Sequence, residues 1–186
     1  MWSDPWAVVA EADRVQWRYI PLESVGPLHF GMSLKEAVAT MEGLGFTSEP
    51  VRVGGRFGPH GQSAVEFRTA DRPAYQVDVV AYEVDTLGLT CITVDARSGP
   101  QVTLDGIRLI GQTPSKLDDE LRGHLDTLGL DVVITPEGDV GSGALGILPR
   151  AQRAGDVLLT RAVFGRPNDW AYTMFDCIPA EEWDVR

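Results

Sequence analysis

Gly26-Pro27-Leu28-His29-Phe30-Gly31-Met32-Ser33 and Gly106-Ile107-Arg108-Leu109-Ile110-Gly111-Gln112-Thr113 are the two stretches on which the fold turns. They stand 80 residues apart. Each has a glycine, a short apolar run, a second glycine and, two places later, a hydroxyl residue. Each then becomes helical. Ser33 with Glu36 three residues on forms a capping box. Leu34, Ala37, Val38, Met41 and Leu44 recur on one face, and Gly45 supplies a stop. In the second stretch Thr113 takes the N-cap and Pro114 the first helical position. Leu117, Leu121, Leu125 and Leu128 form the apolar stripe, and Gly129 ends it. The shared glycine spacing, cap and stop read as an internal repeat.

Strand signals follow each helix. After the first they fall at 51–53, 64–68, 75–83 and 89–95, and after the second at 131–135, 144–148 and 157–164. Tyr75-Gln76-Val77-Asp78-Val79 alternates polar and apolar residues, as a strand with one wetted face does. Short turns between consecutive strands imply antiparallel pairing. The expected class is α+β: two tandem units, each a helix on an antiparallel sheet, the sheets either continuous or facing. The units span 21–99 and 100–164, meeting near Ser98-Gly99-Pro100. Residues 1–20 form an N-terminal extension, with an amphipathic helix expected from Trp6 to Trp17. Residues 165–186 form a C-terminal extension carrying Trp170, Tyr172, Phe175 and Trp183. Its aromatic residues are expected to anchor that end.

The run Leu28-His29-Phe30-Gly31-Met32-Ser33-Leu34-Lys35-Glu36-Ala37 resembles a repeat signature of the secreted β-lactamase inhibitor proteins and the small outer-membrane assembly lipoproteins. Those families build units of a helical segment followed by a curved antiparallel sheet, and the inhibitors carry two in tandem. The resemblance implies a non-enzymatic protein that binds another protein on its concave sheet face. The second stretch departs from the signature, with Gln112 in place of Met and Pro114 after the hydroxyl. The inhibitors' paired cysteines within each unit and the lipoproteins' lipid-bearing cysteine have no counterpart here. Neither a β-lactamase target nor an envelope location is therefore carried over.

Charge narrows the partners. The 186 residues hold 16 basic and 27 acidic side chains, a formal net charge of −11. Binding to a polyanion needs clustered Lys or Arg, and here the basic residues are scattered, with Lys35 and Lys116 the only lysines. Nucleic acid and anionic membrane surfaces are accordingly not expected as partners. No run approaches a membrane span. The opening Met1-Trp2-Ser3-Asp4-Pro5 has no basic region, and the apolar run 6–10 is shorter than a signal core, so the expected address is cytoplasmic. Cys91 and Cys177 read as two reduced, half-buried thiols rather than a disulfide framework.

Catalytic signatures are lacking. His29, His60 and His124 have no metal-like partner at helical spacing, so no metal is expected. The glycine-rich loop 54–61 lacks the Gly-Lys-Ser/Thr ending of a phosphate cradle. Glu137-Gly138-Asp139 with Ser142 lacks calcium-loop spacing, and Gly141-Ser142-Gly143 lacks a full nucleophile elbow. No cofactor is expected. The acidic residues, in contrast, are concentrated. Asp118, Asp119, Glu120, Asp126, Asp131, Glu137 and Asp139 face only Lys116 and Arg122 within residues 113–139. This is either a solvated helix face or a docking surface for a basic protein.

The leading expectation is a cytoplasmic, non-catalytic protein-binding module of the immunity or antitoxin type, with a basic toxin as partner. Its candidate contact residues are Gln76, Asp78, Tyr82, Thr93 and Asp95 on the open sheet face, and Asp118, Asp119, Glu120 and Asp126 on the second helix. Two further readings are a small-molecule-binding or regulatory domain and an enzyme of unrecognised type.

Overall fold

A computed structural model describes residues 4–53, 61–167, 171 and 173–184. Among these residues the chain is α+β. A 3-10 turn at Glu11–Asp13 leads into β1 (Gln16–Ile20), β2 (Ser24–Val25), β3 (Leu28–His29) and helix α1 (Leu34–Gly43). The first unit continues through β4 (Phe46–Val51), β5 (Gln62–Thr69), β6 (Val79–Val84) and β7 (Gly88–Val94). After β8 (Gln101–Leu104) and β9 (Ile107–Arg108) comes helix α2 (Pro114–Leu128), followed by β10 (Val133–Ile134), β11 (Val140–Gly141), β12 (Ile147–Ala154) and β13 (Val157–Gly165). A 3-10 turn at Met174–Cys177 and the short α3 (Ala180–Trp183) close the described chain.

Strands from both units join one six-stranded antiparallel sheet in the order β12-β13-β7-β6-β5-β4. The continuous arrangement, rather than facing sheets, is therefore the one formed. Its edge strands β4 and β12 each carry a proline, Pro50 and Pro149. Proline has no N–H to give a ladder, so an edge is where a sheet tolerates it, and there it discourages further strand addition. A second, five-stranded sheet has the order β3-β2-β1-β8-β9. In it β1 and β8 run parallel, pairing Gln16 with Gln101 and Trp17 with Val102. The start of the chain is thereby tied directly to the start of the second unit.

The two glycine motifs make the same backbone contact. The Gly31 N–H donates to the Leu89 carbonyl at 3.0 Å, and the Leu89 N–H returns to the Met32 carbonyl at 2.8 Å. The Gly111 N–H donates to the Thr160 carbonyl, and the Thr160 N–H returns to the Gln112 carbonyl, both at 2.8 Å. The approach of Gly31 to β7 is close. A Cβ on Gly88 would lie 2.2 Å from the Gly31 carbonyl oxygen, and Gly88 has φ +76°. If Leu89 is set against Thr160 by these bonds, Cys91 and Val94 correspond to Ala162 and Gly165. The central seam pairs Val94 with Ala162 and Cys91 with Gly165. Exchanging β7 with β13 maps one pair onto the other, so the sheet has local two-fold character about this seam.

Both helices bury most of their apolar stripes on one side of the six-stranded sheet, but Leu44 and Leu128, at the helix ends, are exposed because the chain turns away there. Ala37 and Met41 of α1 and Leu117, Leu121 and Leu125 of α2 join Phe67, Ala81, Ile92 and Phe164 in the main core. Each fully buried leucine contributes roughly 1.5–3 kcal/mol. The Ser33–Glu36 capping box forms, with the Ser33 N–H donating to Glu36 Oε2 at 2.8 Å. Thr113 occupies the N-cap of α2, but its side chain makes no capping bond. Tyr19 ties the smaller sheet to the core. Its ring lies 4.5 Å from that of Phe164, and its hydroxyl donates to the Leu145 carbonyl at 2.5 Å.

Several expectations need correction. The helix expected from Trp6 to Trp17 is not formed: the described segment has one 3-10 turn and then β1. The reason is periodicity. Trp17 and Tyr19 are buried while Gln16, Arg18 and Ile20 are exposed, a period of two. The strand expected at 75–83 begins only at Val79, and the one at 144–148 runs from Ile147 to Ala154. The sheet face expected to be open is covered by the C-terminal segment. Ala64, Val80, Tyr82, Cys91, Leu148 and Val163 pack there against Met174 and Ile178. Cys91 and Cys177 are free thiols, and both are fully buried rather than half-buried. Among the described residues no helix is long and apolar enough to cross a membrane.

The close approach at Gly88 sets a stability test. Gly88→Ala should lower the unfolding free energy by about 2 kcal/mol or more, because both φ and a backbone oxygen oppose a Cβ. Gly123, inside α2 with nothing within 4 Å of a built Cβ, is the control. Gly123→Ala should raise stability by about 0.5–1 kcal/mol. Urea unfolding of both variants checks the pair, and a neutral Gly88→Ala would contradict the contact.

Candidate functional site

The five sheet-face candidates do not form an exposed surface. Gln76, Asp78, Tyr82 and Thr93 are buried, and Asp95 is half-buried. Asp78, Thr93 and Asp95 instead line a crevice of about 20 Å³ together with Gln152 and Arg161. That volume suits a single water rather than a substrate. The Asp95 carboxylate accepts from the Arg97 and Ser98 N–H groups at 2.8 and 3.0 Å, and from Gln152 Nε2 at 2.5 Å. Arg14 donates to the carbonyls of Gly99 at 2.6 Å and Ala96 at 2.8 Å. Burial pushes its guanidinium below the usual range, against the pull of Glu11 and Asp95. These groups lock the loop between the two units.

Asp78 is the most buried carboxylate in this cluster. One oxygen accepts from the Thr69 N–H at 2.7 Å, and the other lies 3.7 Å from Arg72 Nε. Burial pushes its carboxyl above the ordinary range, with hydrogen bonds from Ser98 and Thr69 and the charge of Arg72 opposing the rise.

Tyr82 belongs to a second polar group on the covered face. Its hydroxyl donates to Glu182 Oε1. Arg161 Nη1 donates to Glu182 Oε2 at 2.5 Å, and Arg161 Nη2 and Arg150 Nη1 both donate to the Glu182 carbonyl, at 2.5 and 2.9 Å. Arg150 also pairs with Asp139 at 3.1 Å and sits 5.2 Å from the Trp183 ring centre. Sequence reading missed Arg150, Arg161 and Glu182 as a unit. The available signal was arginine inside two largely apolar strand runs, Arg150 in 147–154 and Arg161 in 157–164.

The helix candidates fare differently. Asp119 and Asp126 are exposed, whereas Asp118 and Glu120 are half-buried. Glu120 accepts from Gln112 Nε2 at 3.0 Å and lies 3.8 Å from Lys116. Burial raises the Asp118 carboxyl. Arg122 opposes the rise, while Asp139 and Asp119 add to it. Among the described residues Asp119, Asp126 and Asp131 make no ion pair within 4.0 Å. The chain leaves the α2 C-terminus and returns through β10 to Asp139, which lies near enough to Asp118 to affect it. Along this surface Leu128 is 49% exposed, Val133 37% and Ile134 57%. Leu128, Val133 and Ile134 are thus exposed apolar side chains in the stretch that follows the outward-facing Asp119 and Asp126.

Other arrangements support chemistry poorly. Two open grooves of about 430 and 550 Å³ flank residues 7–10. In the first, Arg108 lies 3.9 Å from Glu11 and Lys116 is paired with Glu120, so its cations are largely neutralised. Ser142 is fully buried, and its Oγ accepts from the Leu145 N–H in a turn. Asp139 is engaged by Arg150. His124 lies 3.3 Å from Asp105, and His29 is exposed. Residues 54–60, with His60, and Trp2, Trp170 and Tyr172 lie outside the described residues. Among the described residues no group of three or more His, Cys, Asp or Glu is placed to hold a metal ion. Compared with known proteins, the chain matches no family model, no curated protein and no solved structure.

The Asp78 environment gives a pH test. A folded-state carboxyl raised above its unfolded value holds its proton more tightly in the fold. Stability from this group therefore falls as pH rises through the ordinary carboxylate range toward the raised value. Asp78→Asn removes that loss while leaving an oxygen to accept from Thr69. As pH rises from about 3 through the ordinary carboxylate range, the variant should gain stability relative to wild type until Asp78 is fully ionised, read from urea midpoints at each pH. A constant difference across this range would contradict the assignment.

Proposed function

We infer that this protein is a non-catalytic binding module for a basic protein partner, engaged through the outer surface of α2 and β10. The observation that carries the reading is a set of exposed carboxylates, Asp119 and Asp126 on the outer side of α2 and Asp131 just past its end, with exposed Leu128, Val133 and Ile134 in the same stretch of chain; among the described residues these carboxylates make no ion pair. Exposed apolar side chains supply buried area at the centre of an interface. Carboxylates around them accelerate encounter with a positively charged surface and fix its orientation. The resemblance of Leu28–Ala37 to the inhibitor repeats supports a role in occluding a toxic partner, of the immunity or antitoxin type. A basic nuclease is the partner class that an acidic surface of this kind suits, with the complex forming in the cytoplasm. The sheet face used by the inhibitor families is closed here, so the docking surface moves to the helix and β10.

The test begins with purified basic nucleases screened for saturable one-to-one binding. With a nuclease that binds, Asp119→Lys/Asp126→Lys should slow association by about tenfold or more at low ionic strength, and high salt should shrink the difference. Ile134→Asp should act mainly on dissociation. Equal association rates for wild type and the charge-reversed protein across salt concentrations would contradict the reading.

A further inference from the structure

The covered face of the six-stranded sheet holds its own C-terminal segment as a receptor holds a peptide. The segment adds no strand to the sheet; β12 and β4 remain the edges. Among the described residues, its contacts with the sheet include those of side chains and of the Glu182 carbonyl. Met174 and Ile178 enter the apolar floor formed by Val80, Leu148 and Val163. The Glu182 side chain is gripped by Arg161 and Tyr82, its carbonyl is bound by both arginines, and Trp183 lies beside the Arg150 guanidinium. Arg150, Arg161 and Glu182 are all buried.

This chemistry is selective. Arg150 has Asp139 as its anion, whereas the buried Arg161 guanidinium is paired with the Glu182 carboxylate. Burying such a cation without its anion is costly, and removing one partner of the pair costs far more than the pair contributes. The face therefore demands an occupant with a carboxylate at the Glu182 position. The Arg150 cation favours an aromatic ring next to it. The tethered segment has the advantage of high effective concentration, so an external occupant must offer the same groups.

We propose that this face is a second interaction site, for a polypeptide segment carrying an acidic residue followed by an aromatic one, and that Glu182-Trp183 occupies it in cis as a pseudo-ligand. The partner is a protein with an exposed acidic-aromatic segment. It displaces the chain's own C-terminal segment when it binds, independently of the α2 surface.

The probe is a fluorescein-labelled peptide with the sequence of residues 173–184, carrying serine for Cys177. It is titrated into the full-length wild type and into full-length Glu182→Gln/Trp183→Ala, in which the cis contacts are weakened and both arginines are kept. The variant should bind the peptide at least about tenfold more tightly than wild type, and the same peptide with Glu182→Gln should bind at least about tenfold more weakly than the parent peptide. If the variant does not fold alone, the parent peptide should restore a cooperative thermal transition. The proposal is overturned by a folded variant that binds no more tightly than wild type. It is equally overturned by equal affinity for the acidic and neutral peptides, or by an unfolded variant in which the peptide restores no cooperative transition.

Discussion

Each long helix of this protein is fastened to a central strand by a reciprocal pair of peptide hydrogen bonds, Gly31-Met32 to Leu89 and Gly111-Gln112 to Thr160. Much of the remaining architecture follows from these two clamps. They fix where α1 and α2 begin, and so which residues of each helix face the sheet. They also act on the last strand of each unit. Because β7 and β13 pair with one another, fastening each helix to its own strand fastens both to a shared seam. The parallel pairing of β1 with β8 joins the two units a second time in the smaller sheet. The Arg14 and Asp95 bonds then lock the loop between them.

A second constraint closes the opposite side. With the helices on one face, the other face of the sheet carries apolar side chains and two arginines, and neither group tolerates exposure or burial alone. The C-terminal segment answers both demands. Met174 and Ile178 cover the apolar part, and Glu182 supplies the anion. The cost of desolvating these charged groups makes this a poor source of net stability but a strict test of register, because a misplaced Glu182 leaves the buried Arg161 without its carboxylate. With both sheet faces covered, the proposed docking surface falls on exposed residues of α2 and β10.

Local signals in the sequence were legible where the structure is local. The capping box at Ser33, the stop at Gly129, Pro114 at the helix start and the leucine stripe of α2 all depend on neighbours within a few residues. The α+β class followed from the order of helix and strand signals, whereas the choice between continuous and facing sheets stayed open in the sequence and is decided by the β7–β13 pairing. What failed was non-local. Gln76 and Asp78 looked like a wetted face because their alternation is real, yet the groups that bury them come from distant loops and strands. Tyr82 is covered by Glu182, 100 residues away. The Trp17-Arg18-Tyr19 alternation was present, but the wider spacing of apolar residues from Trp6 suggested a helix; the pairing with β8 decided for strand. On α2 the acidic cluster was visible, but only the structure separates exposed Asp119 and Asp126 from Glu120, which is tied to Gln112 and Lys116.

The account treats the two glycine clamps and the β7–β13 seam as a single cooperative unit. Native-state amide hydrogen exchange tests this directly, at the Gly31, Leu89, Gly111 and Thr160 N–H groups and at those of the seam. All should exchange only through global unfolding, with one common free energy and one common denaturant dependence. Exchange of either clamp through a local opening, at a lower free energy than the seam and without the other clamp, would contradict the account.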